Sequence, residues 1–273
     1  MARYADEGAH VTLITCTSGE EGEVLVPELA HLAADQEDAL GPHRQGELAR
    51  AMAALGIDDH RFLGGPGKYR DSGMIGTPPN ERADSFWQAD LKTASDDLVA
   101  VIRELRPQVL VTYDDFGGYG HPDHIKAHRV ATYAAALAAV PSYAQHLGAA
   151  WEIEKIYWTA MPKSFVQKGI EALIASGGTN FFGVENVDDL PFIVDDALVS
   201  TVVNATPYVD KKMASLRAHA TQIEDTGPFF AMSEQIGPEA MGYEFFRIAK
   251  GELVPDSSDE LGRETDLFAG VTL

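Results

Sequence analysis

A single cysteine, Cys16, in 273 residues excludes an internal disulfide and any thiolate cluster. Inside its apolar run that thiol reads as a small core side chain. No apolar stretch reaches the roughly 18 residues of a membrane span, and the first residues hold no signal-peptide apolar region. Cationic charge is scarce: 21 Lys and Arg stand against 42 Asp and Glu, a formal net charge of −21. Nucleic-acid backbones and anionic membranes both demand a cationic surface, so neither is expected as a partner. A His-x-Glu-x-x-His zinc helix, a nucleophile elbow and a phosphate loop are missing too. Residues 64–68 have a phosphate loop's composition without its spacing or hydroxyl. A cytoplasmic setting fits these absences, as does a sugar of little charge or a bound metal cation.

What is present is an ordinary core. Hydrophobic residues make up 45% of the chain, enough for one α/β domain over residues 1–273 with an elaboration from about residue 150. β-Branched apolar runs at 11–17 and 107–113 read as buried strands. Shorter strands are expected at 61–63 and 153–159, with a β-rich stretch over 192–203. Helical spacing marks 48–55, stopped by Gly56, then 91–105, 122–138 opened by Pro122, 164–175 and 209–220. This alternation predicts an α/β fold, a Rossmann-like, mostly parallel sheet with helices on both faces. Ligands in such sheets bind beyond the carboxyl ends of the strands, where the glycine-rich loops 18–23 and 114–121 fall. The chain opens on what reads as the last turns of a helix, stopped by Gly8. A parallel crossover needs a strand before it, so the first strand is expected to be missing from this chain.

Chemistry concentrates at Gly-Tyr-Gly-His-Pro-Asp-His, residues 118–124. His121, His124 and His128 fall within eight residues, with Asp123 among them. Neutral imidazole is a frequent metal ligand, and a carboxylate beside it fixes the tautomer. With a helix starting at Pro122, His124 and His128 lie one turn apart, while His121 stays at the helix N-terminus. His128 reads more simply as a surface residue. A catalytic zinc takes about three protein ligands. The motif supplies at most two with good geometry, so the others must come from elsewhere.

The segment Gly117-Gly118-Tyr119-Gly120-His121-Pro122-Asp123-His124 resembles the zinc-binding His-Pro-Asp-His motif of the PIG-L/LmbE-like de-N-acetylases. Residues 15–23, 44–48, 70–74, 218–222 and 264–267 extend the resemblance over most of the chain. They point toward the branch that removes acetate from N-acetylglucosaminyl-inositol in mycothiol biosynthesis. The resemblance implies an amide hydrolase with one zinc ion per subunit, although iron(II) would fit such a site. By the same resemblance His124 is a zinc ligand, and His121 protonates the leaving amine or supports the oxyanion. Asp123 orients His121, and Tyr119 polarises the acetyl carbonyl. Arg44, Asp71 and Glu23 are implied to hold the amino-sugar inositol substrate. Each role is chemically apt: metal-activated water, an oxygen donor at the carbonyl, an acid at the amine. A sister group, the mycothiol S-conjugate amidases, tends to carry proline before the first histidine; Gly120 favours the deacetylases. An inactive, metal-free sugar-binding homologue is the alternative from another class.

One departure is large. The family carries an earlier His-Pro-Asp-Asp segment after its first strand, with two zinc ligands and the general base. No such segment occurs here, and aligning Glu7-Gly8-Ala9 puts Met1 downstream of it. The expectation is a start codon assigned too late, with this chain inactive and poorly folded by itself. A missing central strand would bury several Val, Ile or Leu side chains at about 1.5–3 kcal/mol each, against about 5–15 kcal/mol for a whole domain.

Overall fold

In the computed structural model, which describes residues 1–175, 186–224, 230, 237 and 239–272, the chain divides into two units. The first comprises Met1–Ala89 with Ala205–Gly242, the second Asp90–Asn204 with Tyr243–Leu273. In chain order the elements begin α1 (Ala2–Asp6), β1 (Thr12–Thr15), α2 (Leu40–Leu55), β2 (Asp59–Phe62), α3 (Leu91–Leu105), β3 (Val109–Thr112), the single turn α4 (Gly117–Gly120) and α5 (Pro122–Ala138). They continue with β4 (Lys155–Ala160), α6 (Lys163–Ala175), β5 (Thr201–Asn204), α7 (Val209–Ala218) and β6 (Tyr243–Lys250). Among the described residues no helix is long and apolar enough to cross a membrane.

In the first unit β1 and β2 pair in parallel, Thr12 beside Asp59 through Thr15 beside Phe62. α2 joins them and buries Ala51 and Met52 with Ile57, against Ala5, Val11, Leu13 and Ala218. It ends on Gly56 at φ 76°, where the Ile57 N–H reaches back to the Met52 carbonyl at 2.9 Å, the glycine-closed ending that the sequence predicts. Its start lies eight residues earlier than the periodicity suggests. Gly41 and Pro42 look like breakers, yet in a first turn a missing N–H costs nothing.

In the second unit the strand order is β3-β4-β6-β5. β3 and β4 are parallel, as expected, whereas β6 runs antiparallel to both β4 and β5. β6 escapes a reading for alternation because successive Phe245 and Phe246 are both buried, which removes the period of two. Of residues 192–203 only the end is strand; Asp195 diverts the chain into a turn by accepting the Ala197 N–H at 2.9 Å. α3 begins on Asp90, whose carboxylate accepts the Thr93 N–H at 2.8 Å. α3 and α5 share a core of Val99, Ile102, Ala134, Ala135, Ala138 and Ile153. Arg103, 3% exposed, closes α5 by donating to the carbonyls of Ala138, Val140 and Tyr143 at 3.2, 3.0 and 2.9 Å. The segment after Pro255, loose by sequence, is anchored through buried Glu264, which accepts from Lys155 Nζ at 2.6 Å and from the Tyr157 hydroxyl.

Candidate active site

The carboxyl end of β3 leads into α4, a turn that only glycine can make. Gly117, Gly118 and Gly120 stand at φ 68, 75 and 87°, the left-handed region. A Cβ on Gly117 would lie 2.7 Å from both His124 Cβ and the Ile125 nitrogen, and one on Gly120 2.9 Å from the Phe116 ring. Asp114 fixes the start of the turn, its carboxylate accepting the Gly118 N–H at 2.8 Å. His121 then caps α5: its Nδ1 accepts the Asp123 N–H at 3.1 Å. In the neutral ring this leaves the proton on Nε2. Asp123 is buried in the first helical turn, where the helix dipole favours a carboxylate.

His124 is held by a carbonyl and two aromatic rings. Its Nδ1 lies 3.1 Å from the Gly117 carbonyl. A carbonyl only accepts, so Nδ1 carries the proton and Nε2 keeps its lone pair, the state a metal ligand needs. Tyr113 stacks on the ring at 4.1 Å and 8°, and Tyr119 meets it edge-on at 5.0 Å and 81°. The His121 ring lies 5.0 Å away. Tyr113, Phe116 and Tyr119 are all exposed; these aromatics line a surface and fill no core. His128 donates to the Tyr113 carbonyl at 3.0 Å and packs edge-on against Trp158, bracing the end of β3.

Arg44, Asp71 and Glu23 belong to the first unit. Arg44, on α2, is buried and engaged on every nitrogen: Nη1 to the Gly19 carbonyl at 2.6 Å, Nη2 to the Glu23 carbonyl at 2.8 Å, Nε to Thr221 Oγ1 at 3.3 Å. It clamps the loop after β1. Gly22 permits this, since a Cβ there would stand 2.1 Å from the guanidinium. Burial lowers the Arg44 pKa, while Glu47, Asp71 and Glu20 push it back up. Buried Asp71 accepts the Glu21 N–H at 3.3 Å and the Gly73 N–H at 2.9 Å, and its own N–H donates to buried Glu20 at 3.0 Å. The Glu23 side chain is exposed.

Sequence reasoning passed over Glu20, Glu47, Arg70 and Thr221, although all stand inside the segments that carry the family resemblance. Arg70 bridges Glu21 at 2.7 Å and Asp38 in a two-pronged contact. Those carboxylates, Asp38 first, raise its pKa above the ordinary value against the pull of burial. The signal lay in charged residues beside a glycine loop; what each one touches is tertiary information.

Histidines gathered where a parallel strand ends, one held in the tautomer a metal ligand needs, define an α/β protein equipped for metal-assisted hydrolysis. A family model described as GlcNAc-PI de-N-acetylase matches residues 1–135. The 1D-myo-inositol 2-acetamido-2-deoxy-alpha-D-glucopyranoside deacetylase of Kribbella flavida is 60% identical, over 99% of this chain and 91% of that protein. Its namesake in Streptomyces avermitilis is 55% identical, over 99% and 90%. The chain belongs to the PIG-L family of GlcNAc-PI de-N-acetylases. Among solved structures, the N,N'-diacetylchitobiose deacetylase of Pyrococcus horikoshii superposes with a TM-score of 0.58 at 17% identity, over 94% of this chain and 80% of that one. The 4-carboxy-2-hydroxymuconate hydratase GalB of Pseudomonas putida gives 0.56 at 16%, over 93% and 90%. Likeness at that level speaks for the fold alone, which plainly hosts more than one chemistry.

Proposed function

We propose that the full-length protein is a zinc-dependent deacetylase of mycothiol biosynthesis, hydrolysing the acetamide of 1-O-(2-acetamido-2-deoxy-alpha-D-glucopyranosyl)-1D-myo-inositol to free amine and acetate. The observation that carries the reading is 60% identity to the Kribbella flavida deacetylase over 99% of the chain. The whole of residues 1–273 is read as one deacetylase domain, with the part after about residue 150 as its elaboration. The cytoplasm is its setting.

His124 fits as one ligand of the metal, because its Gly117 contact leaves Nε2 unprotonated. Bound there, zinc would supply the Lewis acidity that makes water a competent nucleophile near neutral pH. His121, neutral while its Nδ1 accepts the Asp123 N–H, offers Nε2–H as a hydrogen-bond donor to the developing oxyanion; to protonate the leaving amine it must be an imidazolium that has given up that backbone bond. Asp123 orients it through that backbone bond. Tyr119, an exposed phenol beside both histidines, polarises the acetyl carbonyl. Arg44 and Asp71, with Glu23 nearby, hold the sugar–inositol, and the first two also fix the loop that carries Glu23.

The backbone at Gly120 weighs against the sister amidase. Its φ of 87° is closed to proline, which is locked near −65°, so the proline that marks the amidases has no place in this loop. The test is side-by-side hydrolysis of N-acetylglucosaminyl-inositol and a mycothiol S-conjugate by the full-length protein, before and after chelation and zinc readdition. The expected result is zinc-restored release of acetate from the first. Faster cleavage of the conjugate, or acetate release untouched by chelation, overturns the reading.

A further inference from the structure

The stretch Ala218-His-Ala-Thr-Gln222 takes no part in the mechanism above, yet it reaches Glu47, the most buried acid among the described residues of the first unit. Glu47 has no exposed side-chain surface. A carboxylate cut off from water must be fully partnered, and a single threonine supplies two of the bonds. Glu47 Oε1 accepts the Thr221 N–H at 2.8 Å, and Oε2 accepts the Thr221 hydroxyl at 2.7 Å. His43 Nε2 lies 3.7 Å from Oε1. Since its one hydroxyl proton goes to Glu47, Thr221 Oγ1 is left to accept from Arg44 Nε at 3.3 Å. The Thr221 carbonyl in turn accepts the Leu25 N–H at 3.0 Å.

We infer that Glu47 and Thr221 are positioning residues: together they set the Arg44 guanidinium and, through it, the 18–23 loop that faces the substrate. Arg44 and Glu47 stand three residues apart on α2 and so share a face. The threonine hydroxyl between them fixes the roll of the guanidinium, because the Glu47 charge dictates which way the O–H points. The two Nη groups then hold the Gly19 and Glu23 carbonyls, the two ends of the loop. This assignment rests on the deacetylase reading for its meaning in turnover, but its geometry lies wholly within the first unit.

The test compares Thr221→Val, Thr221→Ser and Glu47→Gln in the full zinc-supplemented protein. KM and kcat are measured on N-acetylglucosaminyl-inositol, and amide hydrogen exchange at Gly22 and Leu25, with Met52 in α2 as reference. Losing a hydrogen bond to a charged group predicts a KM about tenfold higher in Thr221→Val and Glu47→Gln, with kcat within about threefold. Exchange at Gly22 and Leu25 should quicken about tenfold while Met52 is unmoved, and Thr221→Ser should return both readouts to wild type. Unchanged KM and exchange in Thr221→Val overturn the inference, as does a fall in kcat with KM unchanged. Should Thr221→Val fail to fold, Glu47→Gln against Thr221→Ser decides. If the unsubstituted protein leaves the substrate intact while the exchange pattern follows expectation, the deacetylase reading fails and the positioning of Arg44 by Glu47 and Thr221 stands.

Discussion

Gly117 and Gly118 are adjacent and both at positive φ, 68 and 75°, but only at Gly117 would a side chain strike His124. Each alanine substitution should cost about 1–3 kcal/mol for placing an L side chain in sparsely populated positive-φ backbone. Gly117→Ala must in addition push the His124 ring off the carbonyl that sets its tautomer. Losing such an outer contact typically weakens metal affinity by about 10–100-fold. Gly117→Ala is therefore expected to lose zinc in a chelator competition, while Gly118→Ala keeps it at similar thermal stability. Equal zinc affinity in the two variants would show that the Gly117 contact does not matter. At this scale the sequence is legible where chemistry is local. His121, Asp123 and His124 share one turn, so their grouping is visible in the primary structure. The engagement of Arg44 by carbonyls 21 to 25 residues away is not, because nothing in a one-dimensional pattern says which loop folds over a given helix.

Pairing of β1 with β2 depends on Asp59, which opens β2 and ties both strands. Thr12 donates to it at 2.8 Å from β1, and Arg61 reaches it at 2.8 and 3.1 Å from β2 itself. The Arg61 hydrogen bonds above all hold its pKa down, from 3.8 to about 2, against an upward pull from burial, with Thr12 and His10 adding to the depression. A depressed carboxylate contributes stability that is fully present above its unfolded value and is lost as pH falls through the folded one. Asp59→Asn should thus lower stability by about 1 kcal/mol at neutral pH, since these are partly exposed pairs. The gap to wild type should close between about pH 4 and pH 2. Denaturant melts across that range measure it; a gap that persists below pH 2 means the ion pairs do not carry the effect. The same element scale explains what the sequence concealed. α3 and α5 were legible to the residue because caps and periodicity agree. β6 was not, since a strand covered on both faces writes no alternation, and α2 began early because its breakers sit where breakers are harmless.

Charge is a property of the whole molecule, and here it is lopsided. Even if all 21 cations were paired, 42 acids less 21 leaves 21 carboxylates without a counter-ion. The bridges that do form, such as Arg70 with Asp38 and Glu21, or Arg263 with Asp259, consume cations that cannot also quench the surplus. Unscreened like charges destabilise a folded chain more than an unfolded one. Screening lengths fall from about 30 Å at 0.01 M salt to about 10 Å at 0.1 M, so salt relieves long-range repulsion before it weakens the short, partly buried pairs. The melting temperature should therefore rise by about 2–4 °C between roughly 10 and 200 mM sodium chloride, equivalent to about 1 kcal/mol for a chain of this size. The same scan on a variant with several exposed acids neutralised should show a smaller rise. A melting temperature that falls with salt would mean that the ion pairs outweigh the repulsion, and would locate this protein's electrostatics in its bridges and not in its net charge.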